Sequence, residues 1–160
     1  MPTAYVSMGS NIDRDKNIHK GLAAITEQFG QLEMSSVYEA DSVGFLGEPF
    51  YNLVVGFTST LAVKQISQAL RQIELACGRP EQAQKFSART LDLDLLLYGD
   101  LIRCEAELQI PRAEITRYAF VLEPLAEIAP NLIHPIIHTS YQVLWDAFDK
   151  TALKQQRIIF

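Results

Sequence analysis

Residues 51–78 read YNLVVGFTSTLAVKQISQALRQIELACG, and the change of hydrophobic period inside this stretch decides the fold. Side chains of a strand point alternately to its two faces, so residues 51–58 place Leu53, Val55 and Phe57 on one face and Asn52, Val54 and Thr58 on the other. From Val63 the step lengthens to three and four residues. Val63, Ile66, Leu70, Ile73 and Cys77 then lie along one side of a helix, and Gly78 ends it. Downstream, a polar irregular loop over 79–89 leads into a strongly apolar strand at 91–98. Upstream, residues 3–8 form a short strand that ends at the turn cluster Gly9-Ser10-Asn11. Ile18, Leu22, Ile25 and Phe29 recur at helical spacing before Gly30, and residues 32–39 alternate as a strand. The order strand–helix–strand–strand–helix–strand predicts an α+β fold with a ferredoxin-like split βαβ core. Its mostly antiparallel four-stranded sheet carries helices on one face and leaves the other for a ligand or for the C-terminal additions. Those additions are a helix over Phe120–Ile128, bounded by Pro130, and another near Tyr141–Phe148.

The chain has 160 residues, a length that suits one domain over 1–160. With 48% hydrophobic and 21% charged residues it can bury a core, which excludes disorder as the dominant state. No apolar run approaches the roughly 20 residues of a membrane span. The formal net charge of −5 argues against a broad nucleic-acid face, which needs clustered Lys and Arg. Cys77 and Cys104 lack metal-type spacing, and the first residues carry no basic-then-apolar leader. A cytoplasmic protein with free thiols is the expectation.

The strand Leu91-Asp92-Leu93-Asp94-Leu95-Leu96-Leu97 carries the chemistry. Alternation sends Leu91, Leu93, Leu95 and Leu97 one way and Asp92 and Asp94 the other, about 7 Å apart. Two neighbouring carboxylates on a leucine-rich strand repel each other and are costly to desolvate, unless a hard divalent cation sits between them. Mg²⁺ suits the pair, since it takes one or two carboxylates together with substrate phosphates. A solvated edge strand is the competing reading. The loop before the strand bears Arg79, Lys85 and Arg89, cations that could flank a polyphosphate, although any surface loop has some. Asn52 offers an amide that must find partners, either a heterocycle's edge or local backbone. Phe45, Phe50, Tyr51 and Phe120 could stack on a flat ring or serve the core. His134 and His138 are separated by Pro135 and do not share a helical face. The carboxylates of residues 100–114 read as solvated, and no nucleophilic triad is visible.

Ala4-Tyr5-Val6-Ser7-Met8-Gly9-Ser10-Asn11, Tyr51-Asn52, Gly78-Arg79, Arg89-Thr90-Leu91-Asp92-Leu93-Asp94 and Pro124-Leu125-Ala126-Glu127-Ile128-Ala129-Pro130 follow one another in this order. The chain thereby resembles the 6-hydroxymethyl-7,8-dihydropterin pyrophosphokinase family over residues 3–135. The resemblance implies pyrophosphate transfer from ATP to the hydroxymethyl group of a reduced pterin, giving AMP and the pterin diphosphate, a step of folate synthesis. It implies two Mg²⁺ ions at Asp92 and Asp94, and a catalytic set of Arg79, Arg89, Asp92 and Asp94. The implied nucleotide contacts are Glu74, Arg79, Lys85, Arg89, Arg112 and Tyr118, and the pterin contacts Val43, Phe45, Asn52, Asp92 and Phe120. The implied partners are ATP and the pterin; charge and hydropathy point to no nucleic acid and no membrane, and a monomer is the expectation with a dimer left open. The sequence departs from the family pattern at Glu81, Phe86, Ser87-Ala88, Arg112 and Tyr118, and over Ala40–Gly44; Arg112 and Arg117 are the candidate replacements for missing cations. A pterin- or nucleotide-binding paralogue without efficient transfer, and a metal-dependent phosphohydrolase, are the rival readings.

Overall fold

The computed structural model describes residues 1–42, 47–78 and 90–160. Its elements are β1 (Thr3–Ser10), α1 (Arg14–Phe29), β2 (Glu33–Met34), β3 (Val37–Ala40), β4 (Phe50–Thr58), α2 (Val63–Ala76), β5 (Asp92–Tyr98), β6 (Arg103–Glu105), β7 (Leu108–Ile110), α3 (Glu114–Arg117), α4 (Ala119–Ile128), α5 (Tyr141–Asp146) and β8 (Gln155–Ile158). The main sheet is antiparallel with the order β5-β1-β4-β3-β8, and β2 also pairs with β4. The sheet thus has six strands, where the sequence reading expects four. The helices from the first half of the chain cover one face. Val6, Met8, Leu53, Val55, Leu93 and Leu95 pack there against Ile18, Ile25, Ile66 and Leu70. The C-terminal helices cover the other face, where Val54 joins Val121, Leu122, Leu125 and Tyr141.

Three differences from the sequence reading each have a physical cause. The expected strand over 32–39 is broken because the serines at its centre divert its hydrogen bonds. The Ser35 hydroxyl accepts the Val54 N–H at 2.9 Å, taking a ladder position that a backbone carbonyl would fill. The Ser36 N–H instead donates to the Glu127 carboxylate at 3.0 Å. In β5, the register against β1 shifts between Tyr5 and Val6, whose partners are Leu97 and Leu95. Leu96 is the extra residue of this bulge. Leu97 therefore turns away from Leu91, Leu93 and Leu95 and joins the C-terminal core. Finally, β8 has no apolar alternation and is recruited by the free edge of β3, with Tyr38 opposite Arg157. Phe160, just beyond it, stacks on His19 with ring centroids 4.3 Å apart.

Glu127 ties α4 to the sheet. Its oxygens accept from the Tyr38 hydroxyl at 2.6 Å and the Ser36 hydroxyl at 2.9 Å as well as from the Ser36 N–H. Burial pushes this carboxyl up, but the Tyr38 and Ser36 hydrogen bonds outweigh it and hold Glu127 below the usual carboxylate range. Glu127→Ala leaves these donors without their acceptor and should cost about 2–3 kcal/mol. That corresponds to a fall of roughly 4–12 °C in the thermal midpoint at neutral pH. Because the lowered carboxyl contributes stability only while ionised, the gap between parent and variant should close as pH falls through the carboxylate range, as a pair of thermal scans would show.

Candidate active site

Asp92 and Asp94 are two residues apart on β5, so both project from the face opposite Leu93 and Leu95, toward the C-terminal helices. β5 is the edge strand of the sheet. Its outward Leu93 N–H, midway between the two aspartates, donates to Glu74 Oε2 at 2.8 Å. Glu74 stands in the last turn of α2, is 4% exposed and also faces Arg71 at 3.7 Å. A buried carboxylate thus fixes the backbone that carries the acidic pair.

The register of β1 sets what stands beside the acids. Gly9 pairs with Asp92 on one side and Asn52 on the other; the neighbouring row runs from Asp94 through Ser7 to Val54. Gly9 is needed for closeness rather than for its backbone angles: a Cβ there would lie 3.0 Å from Asn52 Oδ1 and 3.5 Å from the Phe50 ring. The row Asp92–Gly9–Asn52 consequently has an acid at one end, an amide at the other and bare backbone between. Asn52 is 4% exposed, and its Nδ2 has no hydrogen-bond partner among the described residues. A buried amide donor without a partner is costly in a folded chain, and here it fits a ligand acceptor.

Arg112 completes the acidic end. Its Nη2 lies 3.7 Å from Asp94 Oδ1, and its Nε donates to Glu114 Oε2 at 2.6 Å. Its backbone N–H donates to the Leu96 carbonyl at 3.1 Å, which lays residues 110–114 along β5. Burial is the largest influence on Asp94, and Asp92, Glu74 and Glu114 add to it against the pull of Arg112; the Asp94 carboxyl is pushed up to about 7. Asp94 nevertheless keeps about a third of its side chain exposed, 36%, so an incoming ion can reach it. Glu114 corrects the expectation that the carboxylates of 100–114 are solvated. No periodicity marks it; it joins the site because the chain folds back beside β5.

Tyr118 and Phe120 flank the start of α4, and their rings stack at 5.0 Å with an interplanar angle of 19°. Both are half-buried against the core that contains Val54, on the same sheet face as Asn52. Phe50 lies over Gly9. Tyr51 faces the opposite layer, with the Arg14 guanidinium 3.9 Å from its ring centre, so it is not part of this site. His134 Nδ1 accepts the N–H groups of Ile136 and Ile137 at 3.2 and 3.1 Å, a structural role. Val43, Phe45, Arg79, Lys85 and Arg89, and the departures Glu81, Phe86 and Ser87-Ala88, lie outside the described residues. No group of three or more His, Cys, Asp or Glu side chains gathers as a ready metal cage among the described residues. Two carboxylate donors from one strand suit an ion that completes its shell with water and phosphate.

A family model described as 7,8-dihydro-6-hydroxymethylpterin-pyrophosphokinase matches residues 5–130. The chain is 34% identical over 139 residues to 2-amino-4-hydroxy-6-hydroxymethyldihydropteridine pyrophosphokinase of Aquifex aeolicus, covering 85% of this chain and 86% of that one. The protein of the same description from Haemophilus influenzae is also 34% identical over 139 residues, covering 84% and 86%. Among solved structures, an HPPK-DHPS crystal structure in complex with substrates superposes with a TM-score of 0.76 at 12% identity. It is covered over 46% of its length by 98% of this chain. The Plasmodium falciparum HPPK-DHPS S436F/A437G/A613S triple mutant with SDX-DHP gives 0.78 at 14% identity, covering 99% of this chain and 48% of that one. No helix among the described residues is long and apolar enough to cross a membrane.

Proposed function

The chain belongs to the 7,8-dihydro-6-hydroxymethylpterin-pyrophosphokinase family, and we propose that the row Asp92–Gly9–Asn52 is where its two substrates meet. The enzyme transfers the pyrophosphoryl group of ATP to the hydroxymethyl group of 6-hydroxymethyl-7,8-dihydropterin in folate synthesis. The hydroxymethyl oxygen bonds to the β-phosphorus of ATP as the bond from that phosphorus to the α–β bridging oxygen breaks. The electron pair leaves on AMP, and the hydroxyl proton passes to solvent.

The observation that carries this assignment is the buried Asn52 Nδ2, without a hydrogen-bond partner among the described residues and one bare residue away from an acidic pair. Asn52 binds the hydrogen-bonding edge of the pterin, and Phe120 and Phe45 stack on its ring. Asp92, in the same row as Asn52, is the acid we assign to the hydroxymethyl end of the pterin. Asp92 and Asp94 would hold magnesium, read as two ions; the hard oxygens of the pair, the exposure of Asp94 and the repulsion between the two acids fit such a cation. Bound with ATP, magnesium supplies charge neutralisation and polarisation of the triphosphate oxygens. Arg79, Lys85, Arg89 and Arg112 bind the triphosphate, with Glu74 and Tyr118 at the nucleotide. With the acceptor supplied by the substrate, these residues act by positioning and electrostatics, without a protein nucleophile.

The order β5-β1-β4-β3 within the larger sheet supports a split βαβ core to which β2 and β8 are added. That β1, β5 and β8 share one sheet supports a single domain over 1–160. A cytoplasmic location is part of this proposal, and the free thiols of Cys77 and Cys104 agree with a reducing compartment; the oligomeric state stays open between monomer and dimer. The test is a product assay with ATP, magnesium and the reduced pterin. One AMP should appear per pterin diphosphate, with none when the pterin is omitted. Phosphate release without pterin would make the protein a hydrolase. A ligand-induced rise in thermal stability without AMP would make it a binder.

A further inference from the structure

We propose that Arg112 is the built-in counterion of Asp94 in the metal-free enzyme, and that it leaves Asp94 for the triphosphate when metal and nucleotide arrive together. The proposal rests on the magnesium–ATP reading above and assigns Arg112 a switching role within it.

The geometry is that of a contact made to be exchanged. At 3.7 Å, Arg112 Nη2 is too far from Asp94 Oδ1 for a hydrogen bond, so their attraction is Coulombic and undirected. The strong bond of this guanidinium goes to Glu114, at 2.6 Å from Nε. Glu114 thus holds one edge of the fork and keeps Arg112 from closing fully on Asp94. The hydrogen bond from the Arg112 N–H to Leu96 fixes where the side chain begins, so the guanidinium swings from a fixed root.

Asp94 stands among Asp92, Glu74 and Glu114 and needs a cation nearby; Arg112 is the positive group that faces it among the described residues. A divalent ion at Asp94 brings two positive charges to where the guanidinium sits, and the two then repel. The donors of Arg112 fit a phosphate oxygen as well as a carboxylate oxygen. A metal that enters with a triphosphate therefore displaces Arg112 and supplies its next partner. Metal entering alone must displace it with nothing in return. Metal and nucleotide should consequently strengthen each other's binding through this one side chain.

The two halves of the proposal predict effects of opposite sign in one variant. The full-length, metal-free parent, Arg112→Gln and Arg112→Lys are titrated by calorimetry with Mn²⁺ alone, and then with Mg²⁺ and a non-hydrolysable ATP analogue. Arg112→Gln should bind Mn²⁺ alone about tenfold more tightly than the parent. It should bind the magnesium–nucleotide about tenfold less tightly. Arg112→Lys, which keeps the charge, should bind Mn²⁺ as the parent does and shows that the site is intact. Unchanged or weaker Mn²⁺ binding by Arg112→Gln overturns the counterion role. Tighter binding in both titrations overturns the transfer to phosphate. A parent that binds Mn²⁺ but no magnesium–nucleotide overturns the functional reading and the second half of the proposal with it, while the Mn²⁺ titration still decides the first half.

Discussion

Asp94→Asn should reduce pyrophosphoryl transfer by at least about 10³-fold while leaving the chain folded. The substitution keeps the shape of the side chain and removes one anionic oxygen from the acidic pair. The fold should survive because the acid is an electrostatic burden without its ion. Burial, Asp92, Glu74 and Glu114 push the Asp94 carboxyl up to about 7. A carboxyl raised in the folded state favours the protonated form, so its ionisation lowers the stability of the metal-free chain as pH rises from the usual carboxylate range through that value. Asp94→Asn should therefore have the higher thermal midpoint at pH 8 without metal, and this advantage should shrink in acid. Magnesium and a proton compete for Asp94, so the parent's affinity for magnesium with an ATP analogue should weaken as pH falls below about 7, by roughly tenfold per unit where one proton is displaced. Transfer at the parent rate by Asp94→Asn would remove Asp94 from the metal site.

The second large effect is expected at Asn52. Asn52→Leu should raise the KM for the pterin by about 100-fold, because a polar substrate edge is then left facing an apolar side chain. Nucleotide affinity should hardly change, since Asn52 stands across Gly9 from the acidic pair. The unliganded chain should be at least as stable as the parent, because the variant removes a buried Nδ2 donor that has no partner among the described residues. Loss of pterin affinity together with retained or increased stability identifies a binding group. Loss of both would identify Asn52 as a structural amide, and unfolding curves beside the kinetics separate the two cases.

Much of the fold was legible because its signals are local. The step of three and four residues from Val63 to Cys77, broken by Gly78, yields α2 whatever packs on it. The alternation of 51–58 yields β4 and divides Leu53, Val55 and Phe57 from Asn52 and Val54, as the two cores bear out. Other elements lacked such a signal. β6, β7 and β8 are three or four residues long, too short for a period to show. The break at Ser35 and Ser36 depends on Val54 and Glu127, distant in sequence. Within the site, the two aspartates and Asn52 were visible as residue types out of place on apolar strands. Glu114 was not, because an acid beside an arginine in a loop looks like any solvated pair until β5 lies beside it.

The sequence by itself determined the succession of strands and helices and the common face of Asp92 and Asp94, because both follow from side-chain geometry along a few consecutive residues. Tertiary structure alone decided that Gly9 separates Asp92 from Asn52, that a bulge turns Leu97 toward the C-terminal core, and that Arg112 and Glu114 stand at Asp94. These depend on the register between strands and on where a returning segment lies. Register is fixed by how whole faces bury against their helices, a property that no short window of residues contains.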